Sequence, residues 1–468
     1  MKAVAERRLV DSTKQSLAEP PLAVDLDGTL VRTDLLLESL LALLKRNALY
    51  VCVLPLWLVR GKAYFKQQIA RRVSLDVTTL PYRQDLLDDL KAQRGQGRRI
   101  VLATACDVQI AGQVADHLKL FDAVFASDGI ANLSGEAKRK RLVSEFGEKG
   151  FDYAGDHRND RPVWASARKA IVVQDPRPGL VEYLKPLRPQ HWLKNILIFV
   201  PLLAAQRFLE PALLEKAILA FISFGCLASS GYLLNDLFDL ASDRHHPHKR
   251  LRPFAAGNLP LSFAVTMFPV LIAVGCVIGL SVSPLFLAVL LTYLALTTTY
   301  SFFLRKIVLL DVIILAGLYT MRLMAGSAAV GIWPSHWLLA FSTFLFFSLA
   351  LVKRYGELVV MRKPDGAKPT GRGYEQSDGE LLAAMGVASG YLAVLVLALY
   401  INSDAAQTFY GRYQLIWFQC PLLFYWISHV WLIAHRGQMP DDPVVFSVSD
   451  RTSLILALLM LAVTLVAL

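Results

Sequence analysis

No long apolar run precedes residue 190, no two cysteines are spaced as a bridge or a zinc site, and no apolar core lies within the first twenty residues. Each absence excludes something. Cys52, Cys106, Cys226, Cys276 and Cys420 are scattered, three of them in apolar segments, so they read as packing residues and not as a disulfide framework. The opening residues are mixed in charge, so no secretory signal is expected and the N-terminus is expected in the cytosol. Charged residues make up only 19% of the 468 and hydrophobic residues 54%, too apolar a balance for an ordinary soluble protein. Most of that excess lies after residue 190. The net charge of +11 would suit a nucleic-acid partner, but much of the basic excess falls in loops between hydrophobic segments. Membrane orientation and phosphate binding explain it better, and no nucleic acid is expected.

Residues 21 to 175 alternate β-rich runs (PLAVDLD, RRIVLATA, AVFAS, FDYAGD, KAIVVQ) with helical stretches such as 108–119, which predicts a parallel sheet with helices on both faces. Pro176, Pro178, Gly179, Pro186 and Pro189 then punctuate a short basic seam, ending in Trp192, a residue suited to a membrane interface. Beyond it nine spans are expected, near 195–210, 212–234, 262–281, 283–303, 307–329, 336–352, 381–401, 413–434 and 452–468. With a cytosolic N-terminus the loops at 235–261, 304–306, 353–380 and 435–451 should face the cytosol, and those are the basic ones. The domains expected are thus 1–175, with an insertion at about 34–97, a linker at 176–194, and a membrane domain at 195–468.

The run Asn235 to Asp243 sets carboxylates against apolar helices, where an ionisable group is costly and is kept for function. At about 100° per residue, Asn235, Asp236, Asp239 and Asp243 share an arc of roughly 100° on one helical face. Four oxygen-bearing side chains then converge, and Mg²⁺ and phosphate are the obvious partners. A solvated helix end with orientation charges is the plainer alternative. His245, His246 and His248 nearby suggest a transition metal at first, but their setting among carboxylates and cations favours Mg²⁺ chemistry.

Asp25-Leu26-Asp27-Gly28-Thr29-Leu30 follows an apolar run and resembles motif one of the haloacid dehalogenase-like phosphatases. Thr104, Lys138 and the segment Gly155 to Asp160 follow in that family's order, so the resemblance covers roughly residues 20 to 175. It implies a Rossmann-like α/β domain with a helical cap, Asp25 as nucleophile and Asp27 as general acid and base. Thr104 and Lys138 would hold phosphoryl oxygens, and Asp156 would complete a Mg²⁺ site with Asp25 and Asp27, supported by Asp160. Within the cap lies the apolar segment 48–59, flanked by Lys45, Arg46, Arg60 and Lys62. It is too short to span a bilayer, and two readings stay open: a buried cap helix, or a helix resting on the membrane.

The nine expected spans with an aspartate-rich cytosolic motif after the second resemble the UbiA prenyltransferase superfamily. Arg188 to Asn195, with Asn235 to Asp243 running into Arg244, Pro247, Lys249, Arg250, Arg252 and Pro253, is similar to its decaprenyl-phosphate phosphoribosyltransferase branch. Prenyl-diphosphate users carry a second DxxxD between spans six and seven. This chain has Lys353-Arg354-Tyr355-Gly356-Glu357 there, with only isolated acids beyond. The resemblance implies Mg²⁺ on Asn235, Asp236, Asp239 and Asp243, with Asp239 and Asp243 central to catalysis. Lys194, Arg244, Lys249, Arg250, Arg252, Lys353 and Arg354 would meet substrate phosphates, and Arg322, inside the fifth span, would bind substrate because of its cost there. Arg305 and Lys306 are as easily orientation charges as ligands. Asp441-Asp442-Pro443 and Asp450-Arg451 have no assigned role.

The expected protein is a bifunctional enzyme of a bacterial-type plasma membrane with both active sites cytosolic. It would transfer 5-phosphoribose from 5-phosphoribosyl diphosphate to polyprenyl phosphate and then remove the 5-phosphate, giving a pentose donor precursor for cell-envelope glycan. Fusion would raise the effective concentration of a lipid-held intermediate. Two alternatives stand beside it: a prenyltransferase joining a prenyl diphosphate to an aromatic or quinone precursor, and a polytopic transporter with a regulatory soluble domain. Membrane lipids are expected partners, and homo-oligomerisation is left open.

Overall fold

The structure is a computed structural model that describes residues 19–156, 158–175, 178–361, 373–440 and 442–468. The seam residue Pro176, His157 of the segment after the fourth apolar run, Asp441 and much of the loop after Glu357 lie outside the described residues. The described residues form two compact units. One runs to Pro186 and takes in Leu234–Thr266, and the other comprises Leu187–Leu233 and Met267–Leu468.

The first unit is built on five parallel strands, β1 (Leu22–Val24), β2 (Ile100–Asp107), β3 (Ala123–Ser127), β4 (Asp152–Gly155) and β5 (Ala170–Val172), in the order β3-β2-β1-β4-β5. Leu22 stands opposite both Ile100 and Asp152, so β1 sits at the centre. Side chains alternate across it: Leu22, Val24, Ile100 and Leu102 pack with Ile110 and Val114 on one face, and Ala23, Val101 and Tyr153 with Leu142 and Val163 on the other. Both faces are therefore covered, as a parallel sheet requires. All strands point the same way, so the chain ends of β1, β2 and β4 deliver their next residues to one edge, where such sheets bind ligands. The insertion after β1 carries the helices Leu35–Arg46, Tyr50–Val59, Lys62–Ala70 and Gln84–Gly95.

The acidic segment at 234–266 packs within this first unit. Local contacts explain it. The two terminal guanidinium nitrogens of Arg244 donate to the Glu38 carboxylate at 2.5 and 2.9 Å, and Thr33 donates to the same carboxylate at 2.6 Å. His245 Nε2 lies 3.0 Å from Asp76, and Gly257, at φ +72°, comes so close to Arg32 that an added Cβ would sit 2.8 Å from its carbonyl oxygen.

By length and composition, seven helices among the described residues can cross a membrane: Pro211–Phe238, Leu261–Val282, Pro284–Phe302, Leu310–Val330, His336–Val360, Gln376–Ile401 and Tyr413–His435. The pair Pro443–Ser449 and Arg451–Ala467, bent by 77°, makes an eighth if taken as one span. The expectation of nine is thus not met. Where the first was placed, at 195–210, the chain forms a 3-10 run, Pro189–Phe199, and a short helix, Val200–Ala204. Pro201 lacks the N–H that one continuous α-helix across 195–210 would use at that point. The helix Leu310–Val330 is 61% buried against 28% for Gln376–Ile401, so it is central to its unit. It presses directly on the 3-10 run, because a Cβ on Gly326 would meet the Ile198 carbonyl oxygen at 2.0 Å.

Candidate active sites

The end of β1 presents Asp25 and Asp27. Asp25 Oδ1 accepts from the Leu26 N–H at 2.8 Å, and its Oδ2 lies 2.9 Å from Lys138 Nζ. Lys138, on the helix Glu136–Phe146, also donates to Tyr153 Oη at 2.7 Å and to Asp160 Oδ1 at 3.1 Å. Its neighbours diverge: Arg139 turns back to Glu136, while Lys140 and Arg141 are exposed. Burial pushes the Asp25 carboxyl up to about 6, with Lys138 opposing the rise and Asp160 adding to it. Burial also pushes Asp27 up to about 8, helped by Asp34 and opposed by the Leu35 N–H. A carboxyl that stays protonated at neutral pH can give a proton to a leaving oxygen.

Oxygen atoms of Asp25, Asp156 and Asp160 lie within 4.8 Å of one another. Asp160 Oδ2 is buried without a hydrogen-bond partner, a donor atom that suits a cation. Gly28 is required twice, by its φ of +75° and because a Cβ would fall 2.3 Å from Asp156 Oδ2. Thr29 donates to Asp156 Oδ1 at 3.1 Å. Three carboxylates with an unpartnered oxygen fit a hard divalent cation such as Mg²⁺. Asp27, expected among the metal ligands, has its carboxylate turned to the Leu35 N–H at 2.9 Å and lies outside that group. Thr104 is fully buried on β2 and accepts from the Cys106 N–H at 3.0 Å.

Two residues here carried no sequence signal. Arg83 is 4% exposed and grips the loop after β1, donating to the Thr29 and Gly28 carbonyls at 3.0 and 3.1 Å while pairing with Asp175. Lys66, from the insertion, donates to the Ala105 carbonyl at 2.6 Å and to Asn132 at 2.8 Å, with its ammonium in the field of Asp27. Neither follows a motif, since each acts across more than thirty residues of chain.

The side chains of the acidic run do not all turn to one point. The helix Pro211–Phe238 stops and a new one, Leu240–His245, begins with Asp239 as its N-cap. Asp236 and Asp243 still converge, on Arg252 Nη1 at 3.3 and 2.6 Å, but Asp239 Oδ1 faces Lys45 Nζ at 3.3 Å. Burial raises the Asp243 carboxyl, and Arg252 opposes that rise. Asn235 contributes its carbonyl to the Asp239 N–H at 2.9 Å. The pocket between Asp236 and Asp243 thus already favours a cation. Arg244, expected on phosphate, is instead bound to Glu38, while Lys249 and Arg250 are exposed on a 3-10 turn.

The second unit gathers a separate polar cluster. Arg322, 5% exposed, donates to Asn195 Oδ1 at 3.1 Å, Tyr293 Oη at 3.0 Å and the Leu318 carbonyl at 2.7 Å, and stacks on the Tyr319 ring. Lys194 faces the same ring and pairs with Asp442, which caps the helix Pro443–Ser449. Lys353 adds its charge to this pair. Asn195 Nδ2 and His191 Nδ1 are buried here without partners. Arg354 does not join them. It is 2% exposed and binds Asp311 at 2.5 and 2.8 Å and Glu357 at 2.9 Å, so the expected phosphate contact gives way to an internal ion pair.

Comparison with known proteins bears on these sites. Residues 196–367 match the model of the UbiA prenyltransferase family. The chain is 35% identical over 458 residues to the uncharacterized protein y4nM of Sinorhizobium fredii, covering 92% of this chain and 88% of that one. It is 35% identical to the decaprenyl-phosphate phosphoribosyltransferase of Corynebacterium glutamicum, over 46% of this chain and 68% of that protein. The chain belongs to the UbiA prenyltransferase family. It is also 40% identical to the nodulation protein NoeC of Azorhizobium caulinodans, over 58% of this chain and 89% of NoeC. As a UbiA-family transferase with several membrane-length helices, it is a multi-pass membrane protein. The UbiA match takes in the acidic run, Arg252, Arg322, Lys353 and Arg354 and leaves the Asp25 site outside it, whereas the y4nM match is long enough to cross both regions.

Proposed function

We propose that this UbiA-family chain makes polyprenyl-phosphoryl-5-phosphoribose from 5-phosphoribosyl diphosphate and polyprenyl phosphate, and that its N-terminal domain, of the haloacid dehalogenase type, then removes the 5-phosphate. The observation that carries the reading is the joint presence of Asp25, Lys138, Asp156 and Asp160, gathered at one edge of the parallel sheet, and a UbiA region similar to decaprenyl-phosphate phosphoribosyltransferases. Both active sites would face the cytosol of a bacterial inner membrane.

In the first step the bond from the anomeric carbon to the diphosphate breaks, the diphosphate leaves with the electron pair, and a lipid phosphate oxygen bonds to that carbon. Asp236, Asp239 and Asp243 would hold Mg²⁺, which when bound neutralises charge on the diphosphate. Lys249, Arg250 and Arg252 would steer and hold donor phosphates at that loop, and Lys194, Lys353 and Arg322 would supply cations in the second unit. Swinging Arg252 off Asp236 and Asp243 would give the donor a guanidinium and the metal two carboxylates. In the second step Asp25 attacks the 5-phosphoryl group, and Asp27 gives its proton to the departing ribose oxygen. Lys138 and Thr104 hold phosphoryl oxygens. Asp27 then takes a proton from the water that hydrolyses the aspartyl phosphate. Asp25, Asp156 and Asp160 would hold the Mg²⁺ that shields the phosphoryl charge.

The test is to incubate purified protein with polyprenyl phosphate, Mg²⁺ and ribose-labelled 5-phosphoribosyl diphosphate. Labelled lipid is expected. Its absence, with prenylation of an aromatic acceptor from a prenyl diphosphate instead, would overturn the reading.

A further inference from the structure

The helix Tyr50–Val59 is apolar all the way round, yet Trp57 is its only buried residue. Leu49, Leu56 and Val59 are 74%, 65% and 87% exposed. A helix without a polar face belongs in a core or in lipid, and exposed apolar surface of this kind marks a contact. Its ends are basic, with Lys45 and Arg46 before it and Arg60 and Lys62 after it, all exposed. Ten residues make a helix about 15 Å long, half the thickness of a hydrocarbon core, so it cannot cross one.

Its place in the first unit supplies the occupant. Lys45 Nζ donates to the carbonyl of Phe238 at 2.5 Å, and Phe238 is the last residue of the membrane-length helix Pro211–Phe238. From Lys45 to Tyr50 the chain can reach at most about 17 Å. The apolar helix therefore starts within reach of Phe238, the end of a membrane-length helix.

We propose that the helix Tyr50–Val59 docks on an anionic lipid surface, with Leu49, Val51, Leu56, Leu58 and Val59 among the acyl chains and Arg60 and Lys62 at the phosphate groups. The next helix, Lys62–Ala70, carries Lys66 into the field of Asp27, so docking holds the Asp25 site against the bilayer, within reach of a lipid-held phosphate. The proposal depends on the membrane character of the chain and not on which phosphate is removed.

The test uses the full chain in nanodiscs of phosphatidylcholine with phosphatidylglycerol. In a C276A/C420A background an environment-sensitive fluorophore is placed on the exposed native Cys52 or, with C52S added, on Leu56→Cys or, as a water-exposed control, on Asp88→Cys. At 52 and 56 the label should be quenched by doxyl groups on the lipid chains and quenched by aqueous iodide about threefold less than at 88. Iodide quenching at 56 equal to that at 88 would overturn the proposal. So would shielding from both quenchers, which would mean that protein covers the helix, residues 1–18 or a second copy included. Lys62→Glu with Arg60→Glu should weaken the doxyl quenching, and an unchanged value would remove the anionic headgroups from the account.

Discussion

The Asp25 site and the Asp236–Asp243 loop both gather carboxylates, but they are held together in opposite ways. At the first, residues more than a hundred positions apart meet because β1, β2 and β4 run parallel and end at one edge. At the second, residues three or four apart take different partners, Asp239 facing Lys45 while Asp236 and Asp243 meet Arg252. A sheet edge positions side chains from its topology, whereas carboxylates on one short run are divided by the cations that reach them. The first site is preorganised, and the second would need its internal cations to move before a metal and a diphosphate enter.

Four substitutions separate the two. Asp239→Asn should lower lipid labelling by on the order of 10² or more and take both lipid products with it, as read by thin-layer chromatography of the labelled lipids; wild-type labelling would mean that Asp239 belongs to Lys45 alone. Lys138→Met should slow dephosphorylation by roughly 10²-fold while leaving transfer intact, measured on isolated 5-phosphorylated lipid, and a matching loss of transfer would end the separation of the sites. Glu38→Gln strands the buried Arg244 guanidinium. Breaking such a pair costs about 3–5 kcal/mol, which should appear as faster hydrogen exchange across 234–266, with β1 to β4 unaffected. Arg250→Ala, at an exposed position, should raise the KM for 5-phosphoribosyl diphosphate only a few-fold and leave kcat unchanged, the smallest effect of the four.

Much of this was legible in the chain. The alternation of apolar runs located all five strands, and the apolar windows placed the spans from 212 to 434 close to their helices; among four adjacent basic residues the motif order did not by itself separate Lys138, and its contact with Asp25 does. What sequence could not supply was the partner of a charge. Arg244 and Arg354 read as phosphate ligands because they are cations near a site, yet each lies against a carboxylate that no spacing rule connects to it, Glu38 across 206 residues and Asp311 across 43. Arg83 and Lys66 were overlooked for the same reason. At 195–210 the apolar content suits a span, but Pro201 interrupts it and the chain there is a 3-10 run and a short helix, which apolar content alone does not reveal.

The central claim is that one lipid passes through two chemistries in order. The direct measurement is a time course of labelled lipid products from wild-type protein and from Asp25→Asn, resolved by mass. Wild type should show polyprenyl-phosphoryl-5-phosphoribose rising first and giving way to polyprenyl-phosphoryl ribose, while Asp25→Asn accumulates the first and forms none of the second. Equal product patterns from the two proteins would contradict the account.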